Sequence, residues 1–351
     1  MKKFLYFFLL LPAFSFSQVF NSPESVEYDA ANNRWLAGQN GSGVVLGYSP
    51  SNGVLTNFCS GLTTGPHGIE ILGSTLYCCD GGLIRGFDLT TGSQVFNLSL
   101  GATFLNGLTS DGNNFLFATD FSTKKIYRVN VSSSSYNVMV TTTKTPNGII
   151  YDGAHNRLVF VTWGASAPIQ AMSLADSTVS TLRATSLSNC DGIMRDQQGR
   201  WYATSWGTNA LNRFDSAFAN APTALMTGLS SPADLGINLA GDSIGIPNSG
   251  AANNVVFYVI PAPLGIENNL QPDRTNIFPN PSREKTTIVL NEPVINGTIE
   301  LMDDQGKMIV TQKANGLVFF LERGLLSSGI YFVIIKDKEG KIISTKKLIY
   351  S

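Results

Sequence analysis

The sequence is short of charge and of most reactive side chains. Asp, Glu, Lys and Arg make up 14% of its 351 residues, and it holds 2 histidines and 4 cysteines. No Ser-His-Asp or Cys-His arrangement is legible, which sets nucleophilic catalysis aside. The cysteines, Cys59, Cys78, Cys79 and Cys190, follow no zinc-ligand spacing. Export would permit a bridge from Cys59 to Cys78 or Cys79, and four buried free thiols are the alternative. No basic patch with interleaved aromatics occurs, so nucleic acid is not an expected partner. No segment after the N-terminus reaches the roughly 18 uninterrupted apolar residues of a membrane helix, so none is expected in the mature chain.

Lysine is nearly missing from the first part of the chain and frequent in the last. Between residues 18 and 271 there are 11 basic and 16 acidic residues in 254 positions; from Pro272 to Ser351 there are 11 and 9 in 80. Two domains with different surfaces are the simple reading. The N-terminus has its own pattern. Lys2 and Lys3 precede the apolar run Phe4 to Leu11, and Ser15-Phe16-Ser17 offers a small-x-small cleavage site. That predicts a secretory signal peptide over residues 1–17 and a mature chain from Gln18. The Pro/Asn-rich stretch before Pro272 reads as a linker, over residues 266–275.

What the first part does have is a repeat. Glu24, His67, Asn106, Asn147, Asp191 and Asp234 each head a short strand pattern, at steps of 43, 39, 41, 44 and 43 residues. A period near 40 with four short strands per unit predicts a six-bladed β-propeller, here over residues 18–265. The last unit lacks a clear fourth strand, and Gln18-Val19-Phe20 is expected to supply it and close the ring.

Propeller geometry brings the six heads to one mouth. The second strand of each unit runs back to the same face, so Gln39, Asp80, Asp120, Trp163, Trp206 and Asn248 are expected around it. Three of the six heads carry carboxylates, two are Asn and one is His, a set that suits a cation better than a hydrophobic partner. Glu24, Asn147 and Asp191 could instead cap strand starts beside a water-filled channel. Trp163 and Trp206 could pack between blades or form a platform for a ring.

These units resemble the regucalcin/gluconolactonase-like six-bladed propellers. Glu24 matches the family's first-blade Glu, Pro146-Asn147-Gly148-Ile149 its Asn turn and Cys190-Asp191-Gly192-Ile193 its Asp turn. The resemblance implies one divalent cation on Glu24, Asn147 and Asp191: Ca²⁺ first, Mg²⁺ or Zn²⁺ otherwise. It further implies that Asn106 contacts the bound substrate. Asp191, at the metal's edge, could then serve as general base for a lactone or ester, with His67 and Asp234 flanking it and Trp163 and Trp206 stacking on a ring. Two departures stand out. Phe104 occupies a slot where several members carry an Arg that holds the sugar acid, and Cys190 replaces a Pro. A metal-dependent lactonase or ester hydrolase and a non-catalytic propeller binding a glycan, peptide or surface partner are therefore both open.

The last part carries a second resemblance. Phe278-Pro279-Asn280-Pro281, the turn Asp303-Asp304-Gln305-Gly306-Lys307, Leu326-Ser327-Ser328-Gly329-Ile330-Tyr331-Phe332 and the basic end strand at Lys346-Lys347 are similar to the type A sorting domain of type IX secretion. Seven or so short alternating strands predict a small Ig-like β-sandwich over residues 276–351. The resemblance implies Sec export, recognition of residues 276–351 by the type IX machinery, and a final place outside the cell or on its outer surface.

Overall fold

Alternating apolar and polar residues, bounded by Asn, Asp and Gly turns, fold here as four-stranded meanders. The structure is a computed structural model that describes residues 19–49, 52–261, 275–304 and 306–351. The expected signal peptide, Gln18 and nearly all of the expected linker lie outside the described residues. The chain forms two compact units, Met1–Ala262 and Pro263–Ser351.

The first unit is a six-bladed β-propeller. Blade 1 is β1 (Pro23–Asp29), β2 (Arg34–Gln39), β3 (Val44–Tyr48) and β4 (Leu55–Ser60). Blade 2 is β5 (Ile69–Leu72), β6 (Thr75–Asp80), β7 (Leu83–Asp88) and β8 (Gln94–Ser99). Blade 3 is β9 (Leu105–Ser110), β10 (Phe115–Asp120), β11 (Lys125–Asn130) and β12 (Ser135–Thr141). Blade 4 is β13 (Thr145–Asp152), β14 (Arg157–Trp163), β15 (Ile169–Ser173) and β16 (Val179–Arg183). Blade 5 is β17 (Cys190–Arg195), β18 (Trp201–Ser205), β19 (Ala210–Phe214) and β20 (Thr223–Met226). Blade 6 is β21 (Gly236–Ile237), β22 (Ser243–Asn248) and β23 (Asn254–Val259).

Each blade lays one face on the next. Leu36, Val45, Ile69, Leu76, Cys78 and Phe87 are buried together between blades 1 and 2, and similar clusters follow around the ring. Each fully buried Leu or Ile contributes about 1.5–3 kcal/mol, so the ring is held mainly by these layers. All four cysteines are buried and free. Burial pushes the Cys59 thiol up to about 12, which keeps it protonated.

The closure differs from the expectation. Val19 and Phe20 form no strand, and blade 6 has three strands among the described residues. The seam between blades 6 and 1 is closed by side chains. Phe257 packs on Trp35 (ring centroids 5.2 Å) and on Tyr48 (5.7 Å), while the Asp234 N–H donates to the Glu24 carbonyl at 2.9 Å. Phe20 joins these rings at a cleft of about 190 Å³. Two or three residues are too few for a ladder, but one Phe still fills apolar space.

The face opposite the mouth is fastened by ion pairs. Asp29 binds Arg34 at 2.9 Å, Asp196 binds Arg200 at 2.6 Å, and Asp152 binds Arg157 at 2.8 Å and Arg195 of the next blade at 3.1 Å. His155 lies in the short 3₁₀ turn there and also meets Asp152, at 2.9 Å. Burial raises the Asp152 carboxyl, but its bonds to His155 and Arg157 win and hold it below the usual range.

The second unit is a small β-sandwich with five strands rather than seven: β24 (Thr275–Phe278), β25 (Lys285–Asp303), β26 (Met308–Glu322), β27 (Gly329–Lys336) and β28 (Ile342–Tyr350). Segments expected as separate strands are halves of two long ones. Register breaks between Val289 and Gly297 let the first half of β25 pair with β24 and the end of β26; its second half pairs with β27 and the start of β26. Ile288, Ile299, Leu301, Val333, Ile335 and Leu348 are buried in its core.

Candidate functional site: an acidic mouth with an aromatic wall

The heads of the inner strands are turned toward the channel by bulges. The inner ladder slips between Pro23 and Ser25, opposite Asn106-Gly107, between Pro146 and Ile149, and between Cys190 and Ile193. A bulge re-aims one side chain without ending the strand. Glycine then lets the strands come together. A Cβ on Gly107 would stand 2.5 Å from the Asn147 carbonyl oxygen, and one on Gly148 would stand 2.4 Å from that of Asp191. Thr119 bridges the same gap, its hydroxyl accepting from the Gly107 N–H at 2.9 Å and donating to the Asn147 carbonyl at 2.8 Å. The Asn-Gly and Asp-Gly pairs thus serve close approach between blades.

The six predicted heads do converge on one end of the channel, and their electrostatics are unusual. Glu24 and Asp191 are 7% and 2% exposed. Burial raises Glu24 to about 7, with the Ser249 hydroxyl opposing. Burial, then the charges of Glu24 and Asp234, push Asp191 well above the usual range, while the Asn147 amide and the Trp206 indole oppose the rise. Asp234 is raised to about 8, first by burial and then by Glu24 and Glu70. Burial lowers His67 to about 4, so its imidazole is neutral at neutral pH.

Two further carboxylates share the channel that sequence reasoning passed over. Glu70 accepts from the Ser110 hydroxyl at 2.6 Å and the Ser110 N–H at 3.1 Å, yet burial raises it to about 7. Glu27 is raised well above its usual range by burial, then by Glu70 and Asp234. Each lies three residues beyond a head, Glu24 or His67, and in blade 1 the slip between Pro23 and Ser25 accounts for that offset. The signal was legible as a spacing of three instead of two.

Among the described residues, no Arg or Lys pairs with any of these five carboxylates. Like charges this close cannot all ionise without a counter-ion, so the cluster holds protons or takes up a cation. The donor set contains unspent atoms. Asn147 gives its amide N–H to the Cys190 carbonyl at 3.2 Å and leaves Oδ1 buried without a partner. Asp191 Oδ1 is likewise buried and unpartnered. Among the described residues no three His, Cys, Asp or Glu side chains form a ligand cluster by themselves. A cation here would need Asn147 Oδ1 and water beside Glu24 and Asp191, a set that fits a hard ion such as Ca²⁺.

The second-strand ends play another part than expected. Asp80 is spent on the Thr63 and Thr64 N–H groups at 2.9 and 2.7 Å and on Arg85 at 2.7 Å. Asp120 is spent on the N–H groups of Thr103, Ser122 and Thr123, at 2.9, 2.9 and 3.0 Å. Gln39 and Asn248 accept from Asn21 and Ser230 N–H groups in the same way. These residues tie each blade to the chain entering it and add no free charge to the mouth.

The register also corrects the aromatic residues. β18 ends at Ser205, so Trp206 stands one place beyond the strand end. Ladder partners show Thr162 facing Pro146 as Asp120 faces Leu105, so Trp163, the last residue of β14, stands one place beyond the position that matches Asp120. The matching residue of blade 3 is therefore Phe121, not Asp120. Phe121, Trp163 and Trp206 form a wall across blades 3, 4 and 5, with ring centroids 5.6 and 5.2 Å apart. Phe104 continues it, 5.4 Å from Phe121, and packs at 4.5 Å against His67. In blades 1, 2 and 6 the corresponding places hold Asn40, Gly81 and Ser249. One half of the mouth is aromatic and the other small and polar.

Residues 276–351 match the family described as the secretion system C-terminal sorting domain. The C-terminal unit is a secretion-system sorting domain. Such a tail directs the chain through type IX secretion to the cell surface or beyond. No curated protein matches the sequence. Among solved structures, a gluconolactonase from Xanthomonas campestris is similar at 16% identity, over 70% of this chain and 88% of that one, with a TM-score of 0.59. A streptogramin B lyase is similar at 15% identity over 67% and 93%, TM-score 0.51. PorZ, a surface component of the type IX secretion system of Porphyromonas gingivalis, is similar at 12% identity over 96% and 60%, TM-score 0.50. At these identities the likeness is one of fold.

Proposed function

We propose that the mouth of this exported propeller holds one divalent cation and hydrolyses a lactone or related ester outside the cell. The observation that carries this reading is the pair of buried, unspent oxygens, Asn147 Oδ1 and Asp191 Oδ1, beside Glu24 in a channel that has no basic partner among the described residues. Glu24, Asn147 and Asp191 would hold the ion, Ca²⁺ in preference to Mg²⁺ or Zn²⁺. A cation bound there would polarise the ester carbonyl and ease loss of a proton from a bound water. Asp191, kept basic by burial and by neighbouring carboxylates, would accept that proton. Asn106, His67 and Asp234 would line the place where the substrate rests.

The second reading, a propeller that binds a glycan, peptide or surface partner without turnover, is favoured by Phe104. That side chain packs on His67 and Phe121 and supplies no charge to hold a sugar acid. The full chain decides between them. Calcium should raise the melting temperature of the wild type and leave Asp191→Asn unmoved, and a panel of lactones and esters should be turned over only by the wild type. No shift with any divalent ion would sink the cation reading. A shift without turnover would support binding alone.

A further inference from the structure

The aromatic wall stands apart from the apolar cores between the blades. Phe104, Phe121, Trp163 and Trp206 are half-buried, and none of them joins the apolar clusters packed between the blades. They touch one another and His67 instead. Successive rings from His67 to Trp206 meet at 75°, 55°, 66° and 74°, so edges meet faces and no ring is stacked flat beneath its neighbour. Such an arc offers π-faces to whatever enters the mouth.

Charge limits what that is. The strand heads are Glu24, His67, Asn106, Asn147, Asp191 and Asp234, with neither Arg nor Lys among them. Among the described residues the carboxylates below have no basic partner, and His67, at about 4, adds no positive charge. An anion would hold these carboxylates in their protonated form or be repelled by those that ionise, whereas a cation would favour their ionisation. An organic cation would gain from them and from the ring faces together.

We propose that the mouth is a site for a small molecule with a flat aromatic ring and an ammonium group, and that it rejects carboxylated ligands of the same size. The ring lies on Phe121 and Trp163, and the ammonium faces the channel carboxylates. The inference names the ligand class for the mouth described above and depends on that mouth being the site. It does not depend on turnover.

The test is a charge series on one ring: phenyltrimethylammonium, benzyl alcohol and benzoate, titrated calorimetrically into the full chain in EDTA and again in calcium. In EDTA the ammonium should bind about tenfold more tightly than the alcohol, and benzoate more weakly still. Calcium should narrow that spread by neutralising the carboxylates. Phe121→Leu and Trp163→Leu, which keep apolar volume and remove a ring, should each weaken the ammonium about fivefold to tenfold. Phe104→Arg should bring benzoate level with the alcohol. Melting curves of each variant establish that it is folded. Benzoate binding as tightly as the ammonium in EDTA would overturn the proposal. So would the absence of binding by all three probes, or ring variants that are folded and bind like wild type. Absence of a calcium-induced melting shift in these samples would refute the cation reading alone, since the EDTA titrations judge the ring site independently.

Discussion

Replacing Glu70 by Gln should make the propeller more stable at pH 8 and leave it unchanged at pH 4.5. The substitution keeps the shape and the oxygen that accepts from Ser110, and removes only the ionisation. Burial raises this carboxyl from 4.5 to about 7. A raised acid binds its proton more tightly folded than unfolded, so folding loses stability as pH climbs from 4.5 through 7, and nothing is lost below 4.5. At about 1.4 kcal/mol for each tenfold change in affinity, the full penalty is about 3 kcal/mol once the group is ionised. Glu70 keeps some contact with the channel, whose solvent screens it, so about half is expected, near 1.5–2 kcal/mol. For a domain of this size that is a rise of about 3–8 °C. The assay is thermal unfolding of wild type and Glu70→Gln full chain at pH 4.5, 6 and 8 in EDTA. The gap should open with pH and track the titration of Glu70. A gap independent of pH, or a less stable variant at pH 8, would refute the account of the channel as a store of uncompensated charge.

Other positions test other parts of the architecture. Gly148→Ala drives a Cβ to 2.4 Å from the Asp191 carbonyl oxygen, so it should cost about 1–3 kcal/mol and weaken ligand binding at the mouth; melting and titration check both. Asp152→Ala strips Arg157 and Arg195 of their partner on the far face, so it should lose about 3 kcal/mol yet leave the calcium response unchanged in a thermal shift. The four buried thiols should resist a thiol reagent in the native chain and react as four equivalents once it is denatured.

The repeat made the propeller legible because one residue per unit, the strand head, recurs near every 40 positions. The mouth was legible for the same reason, since a ring turns sequence period into proximity. What failed were inferences finer than the period. Asp120 was matched to Trp163 by counting strand residues, but bulges shift the inner ladder, and only the register shows that Phe121 is the partner. Glu27 and Glu70 were missed because an unbulged strand repeats every two residues and these lie at three. The fourth strand of blade 6 was expected from the rule that edges are paired; Phe257, Trp35 and Tyr48 close the seam by packing instead. In the sorting domain, strand number was overcounted because bends in β25 and β26 look like turns in a sequence.

The treatment of acidic residues across the propeller separates scaffold from site. Asp29, Asp152 and Asp196 are each buried with an Arg. Asp80 has an Arg and two N–H groups, and Asp120 has three N–H groups. The fold therefore neutralises or solvates its structural carboxylates wherever it buries them. At the mouth and in the channel below, it does the reverse: Glu24, Glu27, Glu70, Asp191 and Asp234 are gathered with no basic partner among the described residues, and burial raises every one. Five amides or hydroxyls in those places would line a channel at lower cost. That contrast between paired and unpaired carboxylates is the reason for proposing a positive ligand at the mouth, and the aromatic arc is the reason for proposing it beside blades 3 to 5.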